Sequence, residues 1–288
     1  MIRITKKSAG SWARYAILVA VSVLLLFPLV YMITNSFTSA REAASAYSVI
    51  SSGGDGARFI GFKLIPEQFS LIQYYDALLR RPKFLVMFWN SVIMTVPIVV
   101  GQMLVASLAA FAFSKLRFPF RDQLFFVYII VMLMPFQVTL VPNFIIEKNL
   151  NLLGTYASVI LPGVFSTFGV FLLRQFMMYI PKEYCEAANI DGTGYFRLFT
   201  NIVLPNCKSA LASMAILVFV DNWNMVEQPL VFLSDENMRP LSIFLNRINE
   251  SEIGIAFACG IIYMIPTLLI FLYGENYFIE GIQLSGIK

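Results

Sequence analysis

The chain has 288 residues, of which 58% are hydrophobic and only 13% charged, with a formal net charge of +4; an ordinary soluble domain has roughly a quarter of its residues charged. With a mean hydropathy of +0.74 and its apolar residues gathered into long blocks, the chain is suited to a lipid solvent rather than to one soluble core. It has no histidine, and Cys185, Cys207 and Cys259 lie far apart without a CxxC, so three unpaired thiols are expected and neither metal nor nucleic acid is expected as a partner.

In chain order, six blocks are long enough to cross a hydrocarbon core of about 30 Å, which takes roughly 20 helical residues. They lie near 14–33, 86–113, 124–146, 156–173, 210–226 and 255–273, and the fifth is the shortest. The first has the basic lead-in of a signal peptide (Arg3, Lys6, Lys7, Arg14). Its apolar core exceeds the usual 7–15 residues and its flank, TNSFTSA, only weakly resembles a cleavage site, so a retained helix is expected. The first loop contains SSGGDG (51–56), which lacks the Lys-Ser/Thr ending of a phosphate loop and reads as a flexible turn. GxxxxGK[ST] occurs nowhere, so any ATP used must be bound by another chain. Pro28, Pro97, Pro135, Pro142, Pro162 and Pro266 fall inside the apolar blocks. Each removes a backbone hydrogen bond that neighbouring helices must make good, either as ordinary packing or in a bundle whose halves rock.

Lys and Arg placement orients the bundle. With the N-terminus inside, Lys115, Arg117, Arg121, Arg174, Lys182, Arg197 and Lys208 join the N-terminal cluster on the cytoplasmic side, while Arg80, Arg81 and Lys83 fall outside. Both termini and the segment 181–205 are therefore expected in the cytoplasm.

That segment contains EAANIDGTGYFRLFTNIVLP (186–205), a polar passage between two oily stretches. Pro181 suits a helix start, KEYCEAAN follows with good helix formers, and Asp191-Gly192 is a stop, because glycine accepts the left-handed conformation that ends helices. A second helix is expected from Thr193 until Pro205 opens the fifth span. Ala187 and Ala188 make a small face, and Phe196, Leu198 and Phe199 add apolar bulk. A mere connector would require neither, so the passage reads as a knob to be gripped.

Glu186-Ala187-Ala188, three residues, Gly192, nine residues, then Ile202-x-Leu204-Pro205 resembles the signature of permease subunits of binding-protein-dependent ABC importers. FLLRQFMMYIPKEY, MPFQVTLVPNF, LNLLGTYASVILP, NWNMVEQPLVFLS and the ending FIEGIQLSGIK are similar to the sugar-importing, maltose-type branch that lacks a large outer domain. The resemblance implies an all-α membrane protein of six transmembrane helices and type I importer architecture, forming one permease domain over 1–288. It implies a pairing with a second permease subunit, two cytoplasmic ATPase subunits that bind the ATP, and an extracytoplasmic solute-binding protein. By the same resemblance, residues 181–205 would form the coupling loop. Glu186, Ala187, Ala188, Asp191, Gly192, Ile202, Leu204 and Pro205 would then couple to an ATPase, the loop from Pro229 towards Glu252 would meet the binding protein, and the tail from Gly281 to Lys288 would approach the ATPase interface. The chain departs from the pattern at Tyr184-Cys185, at Ser209, and after Trp223-Asn224, where Met225 and Val226 replace an acid and an aromatic.

Asp221, Asn222, Trp223 and Asn224 lie towards the outer half of the fifth span. A carboxylate at that depth is costly unless it faces a partner or a water-filled cavity. The four are candidates for lining a sugar path, since carboxylates, amides and aromatic faces bind hydroxyl-rich solutes; an interfacial cap or a contact with the second permease is the other reading. A self-sufficient channel or secondary transporter would show inverted repeats or a chain of intramembrane charges. A membrane enzyme would need a nucleophile with a base, or metal ligands. Neither pattern is visible, so the chain is expected to be a permease without catalytic residues or a cofactor of its own.

Overall fold

The computed structural model describes residues 9–51, 63–245 and 253–286, so the basic cluster at Arg3, Lys6 and Lys7, most of SSGGDG and the last two residues lie outside the described residues. The chain divides into two compact units, residues 1–82 with 247–264 and residues 83–246 with 265–288.

In the first unit, α1 (Ala9–Ser36) carries Pro28 within it, and none of its apolar core is buried within the chain. Leu18, Leu24 and Leu25 are each more than 60% exposed, as expected of a helix that meets lipid or another subunit. The amphipathic α2 (Ala40–Ser51) follows, then a turn of helix at Ile72–Tyr75 that runs into a π-helical turn, Asp76–Arg80. Aromatic contacts hold these pieces together: Phe37 stacks on Phe69 with ring centroids 4.8 Å apart, and Tyr31 meets Phe257 edge-on at 5.9 Å. The Glu42 carboxylate accepts the Glu67 backbone N–H at 3.0 Å.

The second unit is built around α3 (Pro82–Lys115), 34 residues long and continuous through Pro97. At about 1.5 Å per residue it is roughly 50 Å in length. Met94, Ile98, Gln102, Ala106 and Ala110, each four residues from the next, are buried, which makes one stripe along a helix of 3.6-residue period. Residues 124–146 were expected to be one span, with Pro135 and Pro142 inside it. The structure breaks them into α4 (Arg121–Met132) and α5 (Phe136–Asn149), bent by 103°. Pro135 sits at the break with ψ 140°, and a proline disfavours helical conformation in the residue before it. α6 (Ala157–Val164) and α7 (Thr167–Tyr179) follow with a short interruption at Phe165 and Ser166. Together they form one apolar stretch that continues to Tyr179, beyond the expected end at 173. α7 packs so closely on the core that a Cβ at Gly169 would lie 3.0 Å from the Ala106 Cβ and 2.5 Å from the Met214 Cε.

After α8 (Lys182–Ile190) the chain is helical over Tyr195–Asn206, with a π-helical turn at Phe199–Val203, and then bends by 77° into α9 (Lys208–Trp223). The fifth span was expected to open at Pro205 and to run from 210 to 226. Pro205 lies instead in the helix before the bend, and the span ends at Trp223. α10 (Glu227–Phe232) is followed by a 3-10 turn at Glu236–Met238, a short helix at Leu241–Leu245 and the long α11 (Ile253–Gly286). Among the described residues, four helical stretches are long and apolar enough to cross a membrane, or up to six if each bent pair counts as one span. No strand occurs among the described residues.

Both ends of α3 are fastened within this unit. Near its start, the buried Asn90 donates to the carbonyls of Asn237 (2.6 Å) and Arg239 (3.0 Å), and its Oδ1 accepts the Tyr156 hydroxyl at 2.8 Å. Next to it, the Ser91 hydroxyl accepts the Leu241 N–H at 2.9 Å. At the other end, the Lys115 ammonium donates to the Ile180 carbonyl at 2.7 Å. In return, Arg174 of α7 donates to the Phe113 carbonyl at 3.4 Å, with its guanidinium 3.7 Å over the Phe125 ring. Each helix thus supplies a cation to the other's C-terminal carbonyls, the groups a helix leaves unsatisfied.

Candidate functional site

α8 is a nine-residue helix capped at its start by Pro181 (φ −54°, ψ 142°). At its end the Gly192 N–H bonds the Asn189 carbonyl at 3.1 Å and the Thr193 N–H reaches back to the Ala188 carbonyl at 2.9 Å. This paired closure requires a left-handed residue between them, and Gly192 supplies it with φ +73°. A Cβ on Gly192 would meet nothing within 4 Å, so the glycine is there for its backbone angle and not for space. Gly194 then opens the next helix at Tyr195.

The two alanines do not share a face. Ala187 is exposed, whereas Ala188 is only 5% exposed and belongs to the core together with Leu198, Phe199 and Val203. The expected face of two alanines is corrected accordingly: Ala188 is small so that α8 can lie close against its own bundle. Phe199 and Leu198 likewise turn inward, and Phe199 meets Phe111 of α3 at 5.3 Å between ring centroids. Ile202 and Leu204 are half-buried against the same core. The outward side carries Glu186, Asp191 and Pro205, and with them Tyr184 (57% exposed), Ile190 (86%), Tyr195 and Phe196. Tyr184, Ala187 and Ile190 follow one another at a spacing of three along the helix, a periodicity that could have been read from the sequence. Large apolar side chains this exposed beside charged ones mark a surface that meets something else. Beneath the knob, at the 77° bend, a cavity of about 310 Å³ lies among Tyr179, Pro181, Tyr184, Asn206 and Cys207.

The four residues at the end of α9 separate. Trp223 is 1% exposed, stacked on Phe219 at 5.3 Å and edge-on to Phe88 at 5.7 Å, so it is a core side chain and does not line a path. Asn222 and Asn224 donate to the carbonyls four residues back, Val218 at 2.8 Å and Val220 at 2.7 Å, so each amide is folded back along its own helix. Asp221 is exposed. Further along, Gln137 of α5 donates to both carboxylate oxygens of Glu227, at 3.2 and 3.1 Å. The sequence did not single out that pair, because its members are 90 positions apart.

An all-helical membrane protein with broken spans and a protruding, glycine-stopped knob has the fold of an importer permease. Residues 77–277 match the family described as binding-protein-dependent transport system inner membrane component, and the chain belongs to that family. It is 29% identical to the arabinooligosaccharides transport system permease protein AraQ of Halalkalibacterium halodurans, over 93% of both chains. It is 33% identical to the sn-glycerol-3-phosphate transport system permease protein UgpE of Yersinia enterocolitica, over 69% of this chain and 73% of the relative. A crystal structure of a bacterial ABC transporter involved in the import of the acidic polysaccharide alginate has the same fold, with a TM-score of 0.79 at 21% identity, covering 96% of this chain and 100% of that one. A second structure, of the bacterial alginate ABC transporter in complex with alginate pentasaccharide-bound periplasmic protein, matches with a TM-score of 0.65.

Proposed function

We propose that this permease moves a sugar or oligosaccharide inward by alternating access, driven by two ATPase subunits that grip the α8 knob from the cytoplasm. The chain itself hydrolyses no ATP. A second permease subunit completes the pathway, and an extracytoplasmic solute-binding protein delivers the solute. The observation that carries this reading is the knob: an outward face of Tyr184, Ala187 and Ile190 on a helix whose inward face, Ala188, is seated in the bundle core. A force on the outward face is then passed to tightly packed side chains rather than absorbed in a loop. ATP-driven closure of the ATPases would shift the bundle between two packed arrangements. The solute class is supported by the relative named for arabinooligosaccharides and by the alginate importer, both carbohydrate cargoes; the relative named for sn-glycerol-3-phosphate carries a smaller, anionic polyol ester. A self-sufficient transporter would not need the knob.

The experiment is uptake into proteoliposomes holding the whole complex, with a panel of oligosaccharides and the cognate binding protein. Uptake should require both ATP inside and the binding protein outside; uptake driven by an ion gradient alone would refute the proposal. Within that assay, Asp221 is the path residue we retain, because Trp223 is buried and the two asparagine amides are engaged. Asp221→Ala should cut sugar uptake by about tenfold, equivalent to about 1.4 kcal/mol, while assembly and basal ATP hydrolysis stay normal. Unchanged uptake would assign Asp221 to a contact with the second permease instead.

A further inference from the structure

We infer that α3 is a strut that holds two surface segments of this permease in fixed register across the membrane, with Asn90, in its first third, and Lys115, its last residue, as the positioning residues. The segments are Leu233–Leu241 and the root of the α8 knob. The inference rests on the proposed function for what meets each segment, the binding protein at one end and an ATPase at the other. The strut itself rests on geometry.

Asn90 is 4% exposed and all of its hydrogen-bonding groups are engaged, two by the carbonyls of Asn237 and Arg239 and one by Tyr156. Ser91, 2% exposed, takes the Leu241 N–H. Just before and at the first of these anchors the chain exposes Asp235, Glu236 and Asn237, and the Glu236 carboxylate lies 3.1 Å from the ammonium of Lys83, also on α3. At the far end, Lys115 bonds the carbonyl of Ile180, the residue before the proline that starts α8, and Phe111 packs on Phe199 beyond the knob. Asn90 and Lys115 are separated by roughly 37 Å of uninterrupted helix at about 1.5 Å per residue. The stripe between them, Met94 to Ala110, is buried. A close-packed helix of this kind moves as a body and does not compress, so a shift of the Asp235–Asn237 edge has to reappear at Ile180. Capping of helix ends alone would explain Lys115, and satisfaction of a buried amide alone would explain Asn90. Neither explains why the two sit far apart on one unbroken helix, each tied to a segment that leads into exposed residues.

The test uses the assembled complex in lipid nanodiscs and two readouts. The first is hydrogen–deuterium exchange, which needs neither solute nor ATP turnover. Lys115→Met should speed exchange at 233–241 several-fold, and Asn90→Ala should do the same at 183–193. Lys115→Arg, which keeps a donor for the Ile180 carbonyl, should restore the wild-type pattern. Exchange that changes only beside each substitution would overturn the strut even if transport proceeds as proposed. The second readout is stimulation of ATP hydrolysis by the binding protein purified with its own sugar bound. Each single variant should lose about tenfold of the stimulated rate with the basal rate intact, and the double variant should lose no more than that. Substitutions this far apart ordinarily combine independently, so a hundredfold loss in the double variant would refute a shared rod. Should Asn90→Ala fail to accumulate, Ser91→Ala loosens the same end. Absence of stimulation in the wild-type complex would count against the proposed function, while the exchange result decides the strut separately.

Discussion

Gly192→Val should abolish most uptake from a complex that still inserts and assembles. The φ of +73° at this position costs an ordinary L-residue roughly 1–2 kcal/mol, and a β-branched one more. Because no atom lies within 4 Å of the position where a Cβ would be, the whole effect is backbone strain, and it acts on the closure of α8 through the Asn189 and Ala188 carbonyls. Strain of that size shifts the population of the correctly closed knob by a factor of ten or more. The expected order of uptake is wild type, then Gly192→Asn, then Gly192→Ala, with Gly192→Val last, since asparagine tolerates the left-handed region best among the replacements. Parallel measurements of uptake and of complex recovered from membranes check this. Equal uptake for the asparagine and valine variants would show that the left-handed angle is irrelevant to coupling.

Neighbouring alanines should respond in opposite ways to the same change. Ala188→Glu places a carboxylate, without a partner, in the core formed with Leu198, Phe199 and Val203. Burying an uncompensated charge costs several kcal/mol, so little folded protein should accumulate and its melting temperature in detergent should fall sharply. Ala187→Glu adds the same charge on the exposed side and should leave abundance and melting near wild type, while weakening whatever docks there. If both variants were stable, the inward seating of α8 would be wrong.

That contrast also shows what the sequence could and could not reveal. The spans were legible because a lipid solvent demands long apolar blocks, and the glycine stop was legible because so few residues accept its angle. The direction of α8 was half legible. Small residues were assigned to the docking face, when Ala188 is small because its own bundle crowds it; the spacing of Tyr184, Ala187 and Ile190 carried the correct answer. Pro135 advertised a break without its size, since a bend of 103° depends on how the surrounding helices satisfy the freed carbonyls. Trp223 looked like a sugar-stacking residue by type and depth, but its stack on Phe219 and its edge contact with Phe88 include a partner from α3, which no local pattern shows. The anchors of α3 were invisible for the same reason, because Lys115 and Ile180 are 65 positions apart and Asn90 and Arg239 are 149 apart.

Cysteine crosslinking at the knob tests the central claim most directly. In a complex otherwise free of cysteine, single cysteines at Ala187, Ala188 and Ile190 are treated with a short thiol crosslinker, and the products are identified by mass. Cysteine at Ala187 and at Ile190 should join to the ATPase subunit and never to the binding protein, with ATP shifting the yield, whereas cysteine at the buried Ala188 should remain unreacted. Crosslinks from Ala188 in place of Ala187, or from any of the three to the binding protein, would contradict the account.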